Sequence, residues 1–501
     1  MASPASLPPI DRRRRGLLFG MAAAAGGGVA IGVAPRLFAR DPDDAISLPT
    51  FRRSGDPDDT ASLFRAAERG LPIHAPAGGG SGPGGRYLVA TTAEDLLPSG
   101  FRLFGDGMER TIFSRSYARS APFILHADSG SADTRKNLTG IHIRDLTFED
   151  DVAKRGFSQF NYLVMLSGVS GAVIERVAFR GFRGDGLYIG SSTIRAHERH
   201  NRNVLVTDCL FDGVNANNRN AISVLDCDGL VIEKSRFLNT TRNGDGGVSE
   251  ADPMNALTGA PMPGSIDFEP DEPFAIIRNV TVRDNHFKGG GGFAVALTLL
   301  SNMYVRVPIQ GFTITGNVIE GRHGGFSANG FGGDEALTND RPYDVKIANN
   351  SVSNCAKPFI LHGMRGLTLT SNRFADCEEA AELGYTTASA NVTLEDNSFT
   401  RIGYARAGYG LWVRSVRGLK LVDNRFVDCG LATGKFGVAL AFVNGDMRDI
   451  ELTANRFSAP GGRTKEAVSI FRDARLDRST VRASSNLVRL PSAPAAPALG
   501  F

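Results

Sequence analysis

Three acids and one arginine in the middle of the chain have the types and spacing of a reaction centre. Asp267 and Glu269 lie two apart in Gly264-Ser265-Ile266-Asp267-Phe268-Glu269-Pro270. In a strand, alternation sends Ile266 and Phe268 to one side and both carboxylates to the other. Two earlier segments, Asp185-Gly186-Leu187-Tyr188 and Arg219-Asn220-Ala221-Ile222-Ser223, carry the same apolar spacing. Matching Leu187 with Ile222 and Ile266, and Ile189 with Val224 and Phe268, makes Tyr188, Ser223 and Asp267 one outward column. Gly190, Leu225 and Glu269 form the next. Asp185 and Arg219 fall just before their strands, at the same corner.

On adjacent strands this placement has consequences for chemistry. Residues two apart have Cα atoms roughly 6.5–7 Å apart, and Asp185, two strands from Asp267, is roughly 9–10 Å away. Those separations bracket the carboxyl distances of glycoside hydrolysis. Crowded carboxylates push one pKa up, so one residue type supplies both an acid and a base. Elimination from a uronic acid asks for other parts. Arg219 would neutralise the sugar carboxylate, and Tyr188 or a carboxylate would take the C5 proton. Asn220 and Ser223 are further expected substrate contacts, with Tyr188 as a sugar-stacking surface. The same carboxylates are oxygen ligands of the kind Ca²⁺ accepts, and no other cofactor or metal is indicated. The plain alternative is a set of surface acids salt-bridged to Arg219.

The elements that must position these residues form a repeat. From residue 139 onward an alternating apolar segment is followed by Asn, any residue, and Phe or an aliphatic, as in Leu367-Thr368-Leu369-Thr370-Ser371-Asn372-Arg373-Phe374. The closing apolar residue recurs at Phe148, Phe179, Phe211, Phe237, Phe287, Ile319, Val352, Phe374, Phe399, Phe426, Phe457 and Val488. The mean step is about 31 residues, the sign of a solenoid. Period-2 alternation means strands rather than helices. Asn follows the strand at 285, 317, 350, 372, 397, 424, 455 and 486. Asn tolerates left-handed backbone, and its amide bonds to its equivalent in the next coil. The expected fold is all-β: a single right-handed parallel β-helix with strands about 4.8 Å apart.

The N-terminal region resembles a known superfamily. Asp58-Asp59-Thr60-Ala61 opens a short helix, Pro72-Ile73-His74-Ala75-Pro76 follows, and Gly100-Phe101-Arg102-Leu103-Phe104-Gly105-Asp106-Gly107 leads to Thr111-Ile112. This pattern is similar to the start of pectate lyase-like β-helix proteins, which include polygalacturonase-type hydrolases. The resemblance implies a helix capping the first coil and a polysaccharide substrate. Asp58 or Asp59 is placed to cap that helix. The strand Ile266–Pro270 also resembles the active-site strand of mannuronan C5-epimerases, in which an aspartate precedes Pro-His. Here Glu269-Pro270-Asp271 stands in that place, without the His.

Composition narrows the class. The 501 residues carry a net charge of +3. Six Arg against Asp11 give residues 1–40 a balance of +5, which leaves −2 for the rest. That balance does not suit a nucleic-acid binder. Arg12-Arg13-Arg14-Arg15 before Gly16-Leu17-Leu18-Phe19 and an Ala/Gly-rich run resemble a twin-arginine export signal. The expectation is a periplasmic or secreted product with no stable membrane insertion after signal removal. The expected divisions are an export signal (1–40), a cap with the first coils (41–138), the repeat domain (139–490) and a loose tail (491–501). The five cysteines lack any Cys-x-x-Cys and read as buried thiols rather than disulfides. The long step from Phe237 to Phe287 places a loop at Thr240–Pro263, beside the carboxylates, and loops of that length are commonly functional. His286 reads as structural. His323 and the outward Trp412 and His362 are expected to extend a sugar-binding groove. The overall expectation is an exported enzyme cleaving a polysaccharide, with hydrolysis ahead of elimination. The alternatives are a uronate C5-epimerase and a non-catalytic glycan-binding β-helix.

Overall fold

A computed structural model describes residues 44–191, 198–242, 264–270, 272, 274–299, 309–330, 343–385, 388–405, 408–430 and 437–491. The proposed export signal, most of the loop 240–263, Asp271 and all but the first residue of the tail lie outside the described residues. Within them the chain winds as a parallel β-helix. One sheet stacks twelve strands, from Leu125–Asp128 through Leu187–Ile189, Ile222–Val224, Gly264–Phe268 and Phe293–Leu297 to Glu466–Ile470. Thirty further strands pair into one network over the other sides. Every strand-to-strand pairing is parallel, as a coil of in-register rungs requires.

The repeat is legible in the pairing. Phe148 lies opposite Phe179, Phe179 opposite Phe211, and the column continues through Phe237, Phe287, Ile319, Val352, Phe374, Phe399, Phe426 and Phe457 to Val488. Parallel register forces like residues together, so these rings stack: Phe179 on Phe211 at 4.6 Å and Phe237 on Phe287 at 4.4 Å. The column extends upstream to Tyr87 and Phe113.

The Asn corner forms a ladder. Asn350 donates its backbone N–H and its Nδ2–H to Asn372 Oδ1, both at 3.0 Å, and Asn372 does the same to Asn397. Each Nδ2 also donates to a backbone carbonyl, as Asn372 does to Ile347 at 2.8 Å. The left-handed residue at this corner is the one before the Asn: Ser371 (φ 54°), Asp396 (φ 54°) and Asp423 (φ 52°). The Asn is needed for its amide, and its neighbour makes the turn.

The helix Thr60–Ala67 buries Leu63, Ala66 and Ala67 in the same core as Ile73 and Tyr87 of the first coils. Asp58 Oδ1 accepts the Thr60 N–H at 2.9 Å. The Asp59 carboxylate instead accepts from Ser81 N–H, Ser81 Oγ–H and Leu88 N–H, tying the following segment down. The five cysteines are free and buried, as read from the sequence. Among the described residues no helix is long and apolar enough to cross a membrane.

Candidate active site

The twelve-stranded sheet brings the three sequence segments together. Leu187 pairs with Ile222 and Ile222 with Ile266, while Tyr188 pairs with Ser223 and Ser223 with Asp267. Ile266 and Phe268 are fully buried in the core, so Asp267 and Glu269 project from the opposite side. The register places Asp185 level with Asn220, and Arg219 one residue earlier. The corner therefore holds the acid and the cation one residue out of step, facing each other.

Arg219 is the hub. Its Nη1 donates to Asp185 Oδ2 at 2.9 Å and to Ser223 Oγ at 3.0 Å, and its Nη2 donates to Glu269 Oε2 at 3.2 Å. Asp185 also accepts from Ser223 Oγ at 2.9 Å and from the Asn220 N–H at 3.2 Å. Asp267 accepts only from neutral groups in this network: Thr298 Oγ1–H at 2.8 Å and Asn220 Nδ2–H at 3.3 Å. One guanidinium faces three carboxyl groups and touches two of them.

This arrangement decides where a proton sits. Burial, then the neighbouring Glu269, pushes Asp267 well above the usual carboxylate range, and Arg219 opposes that only in part. Burial also raises Asp185, against the pull of Arg219, Ser223 and the Asn220 N–H. Burial pulls Arg219 down, but Asp185, Glu269 and Asp267 outweigh it and hold the guanidinium charged. Burial and the neighbouring Glu269 thus favour the protonated form of Asp267, whose hydrogen bonds come from neutral groups while the cation contacts Asp185 and Glu269. Glu269 alone among the three keeps solvent access, with 21% of its side chain exposed.

Several expectations change. Tyr188 is 4% exposed and packs with Phe123, Tyr162, Met165 and Leu225, so it offers no open ring face to a sugar. Asn220 and Ser223 are fully buried. They organise the carboxyl groups rather than lining a groove. Arg219 is likewise enclosed, its charge engaged by Asp185 and Glu269. Among the described residues no group of three or more His, Cys, Asp or Glu is arranged to hold a metal ion. The oxygens considered for Ca²⁺ accept hydrogen bonds from Arg219, Ser223, Asn220 and Thr298. Thr298 was not singled out from the sequence. Phe268 pairs with Leu297, so the residue after Leu297 falls level with Glu269 one rung on, and column counting carried one rung further would have found it.

The outlying residues divide. His323 lies at the corner before Gly324–Asn329, its ring edge-on to Phe293 at 5.2 Å, two rungs from Asp267. Trp412 stands in Asp267's own column, reached through Ala296, Ser327, Ile360 and Glu382. His286 is on another face, 3.0 Å from Glu320.

A stacked parallel coil of in-register rungs defines a class of protein, and the family comparison agrees. The chain belongs to the right-handed β-helix family, whose model "Right handed beta helix region" matches residues 135–333 and 306–471. Comparison with curated proteins finds no match. Among solved structures the chain is similar to the pre-mature gene product 12 of bacteriophage phi29, with 12% identity and a TM-score of 0.57 over 91% of this chain and 58% of that one. It is similar to tailspike protein 3 of bacteriophage CBA120, with 15% identity and a TM-score of 0.54 over 90% and 62%. The chain therefore spans less than two thirds of either phage protein. The A-module of mannuronan C-5 epimerase AlgE6 of Azotobacter vinelandii aligns at 13% identity and a TM-score of 0.44, over 89% of this chain and 99% of that one. At these identities the likeness is one of fold.

Proposed function

We propose that the protein is an exported polysaccharide-cleaving enzyme, with Asp267 as general acid and Glu269 as the carboxylate that activates water. The observation carrying this reading is the unequal use of one cation: Arg219 binds Asp185 and Glu269 and leaves Asp267 to neutral donors. Hydrolysis of a glycosidic bond needs one carboxyl with its proton and one without. Here Asp267, on the strand Gly264–Phe268, and Glu269, just past its end, stand two residues apart on the long face of a coil whose successive rungs suit successive units of a polymer. Arg219 and Asp185 act as positioning residues, fixing Glu269 and sharing out the negative charge.

A second reading has its own observation. Asp185, Asn220, Ser223 and Asp267 are each fully buried, as a purely structural network would be. A glycan-binding β-helix would need nothing more of them. The two readings part on Asp267→Asn and Glu269→Gln, assayed on a polysaccharide panel by reducing ends and by absorbance of unsaturated products. The enzyme reading expects reducing ends from the native chain without new ultraviolet absorbance, and loss of turnover in both variants. Unsaturated products would make it an eliminating enzyme. No products from the native chain on any acidic or neutral polymer would leave the structural reading. Export is tested by locating the chain with Arg13→Lys and Arg14→Lys changes in the leader.

A further inference from the structure

The two ends of the coil are finished differently. At the first coils the helix Thr60–Ala67 lays Leu63 and Ala66 into the core. The last rung consists of the strands Glu466–Ile470, Ala474–Leu476, Val481–Ser484 and Leu487–Arg489, and among the described residues each pairs on one side only. Its inward residues Val468, Ile470, Leu476, Val481 and Val488 are partly exposed. Their partners one rung below, Leu440, Phe442, Met447, Ile450 and Phe457, are at most 2% exposed. The Asn ladder also stops here. Asn486 Oδ1 accepts from Asn455, but the Asn486 N–H meets no acceptor among the described residues. A strand edge left in this state is a template for a further strand.

The charges at this end point to what that strand carries. Outward columns alternate in sign from rung to rung. Lys420 lies opposite Glu451, with their charged atoms 3.9 Å apart, and Glu451 lies opposite Arg482. Asp446 lies opposite Arg475 and pairs with it at 2.7 Å. Both columns end on an arginine. Residues 463–489 hold six Arg and one Lys against one Glu and two Asp, a balance of +4. Arg472, Arg478, Arg482 and Arg489 are exposed, and none of them forms an ion pair among the described residues.

We propose that the last rung is a docking edge for an acidic, extended segment of a partner polypeptide, which adds as the next strand beside Val481–Ser484. Val481 and Ala483 turn inward and Arg482 outward, so the fitting segment alternates apolar and acidic residues. Its apolar side chains cover Val481 and Ala483, and its carboxylate continues the series Lys420, Glu451, Arg482. A second copy docked end to end would set two ends of like charge against each other. Residues 492–501 carry no charged side chain to meet Arg482, and Pro494 and Pro497 lack the N–H that strand pairing uses. A glycan or a polyphosphate matches the charge but not the row of backbone donors and acceptors. The docking edge lies at the far end of the coil from Asp267 and stands whether or not the carboxyl cluster is catalytic.

The test titrates the full-length protein into a fluorescein-labelled nonapeptide of alternating Val and Glu and reads anisotropy. One control replaces Glu by Lys. The other keeps the Glu and carries a methyl group on every backbone nitrogen. Saturable binding is expected for the Val–Glu peptide, weaker by about tenfold or more for both controls and weakened by salt. Arg482→Glu, at an exposed position, should lose about tenfold for the Val–Glu peptide and gain for the Val–Lys peptide, with an unchanged melting temperature. Should that variant fold poorly, the two control peptides on the native chain decide alone. Equal binding of the Val–Lys peptide, or no binding of any peptide, overturns the proposal. Equal binding of the methylated peptide does so too, since charge alone would then explain it. An Arg482→Glu protein that binds as the native chain does also overturns it. So does binding that begins only after residues 492–501 are removed, which makes them the occupant. A native dimer in sedimentation that Arg482→Glu dissociates overturns it in favour of a second copy.

Discussion

Two corners of the same coil show what repetition and its failure mean. At the Asn corner each rung presents the same amide to its neighbour, and every donor finds an identical acceptor about one strand spacing away. At the Asp185–Arg219–Asp267 corner each rung presents something different, and the groups are satisfied only across two or three rungs at once. The first corner makes structure and nothing else. The second gathers three acids around one cation, an arrangement that solenoid stability does not call for. Chemistry in a repeat protein is best sought where the column stops repeating.

That contrast is breakable. The largest effect belongs to Arg219→Met, which leaves buried carboxyl groups without their cation. A loss of about 3–5 kcal/mol is expected in denaturant unfolding. A loss below about 1 kcal/mol would mean that the acids are not charged against it. Asn372→Ala comes next. It strands the Asn350 N–H and Nδ2–H, and a loss of about 2–3 kcal/mol is expected. Asn486→Ala, at the last and more exposed rung, should cost less by the same measurement.

A pH series sharpens the comparison further. The folded pKa of Asp267 lies above its unfolded value, so its contribution is fully present below the unfolded pKa and is lost as pH rises through the folded one. Asp267→Asn has no such loss. The melting temperature of the variant should gain on that of the native chain as pH rises from 4 toward neutrality, and the gap should close on acidification. The Asn ladder carries no titratable group, so Asn372→Ala should show an offset that does not vary with pH. The smallest effect is none at all: a thiol reductant should leave the melting temperature where it was, because all five cysteines are free.

Most of the architecture was legible because parallel in-register stacking makes each column uniform. Phe237, Phe287 and Phe426 could be aligned by eye, and the inward pairs of Leu187, Ile222 and Ile266 fixed the register of the carboxyl face. Alternation tells which side of a sheet a residue leaves from, but not what lies over it. Tyr188 leaves the outer side, as expected, and is then covered by Phe123 and Tyr162, which come from segments up to 65 residues away in sequence. The same blindness hid the burial of Asp267 and Ser223. At the turn, the preference of Asn for left-handed backbone pointed to the wrong residue: Ser371 takes that conformation, while Asn372 is held by its hydrogen bonds.

The central claim is that Asp267 holds a catalytic proton rather than a structural one. The direct test measures turnover, polymer binding and melting temperature on one preparation of Asp267→Asn at neutral pH. Turnover should fall by about a hundredfold or more while binding persists and the melting temperature holds or rises. A variant that cleaves as fast as the native chain, or that loses its fold along with its activity, would contradict it.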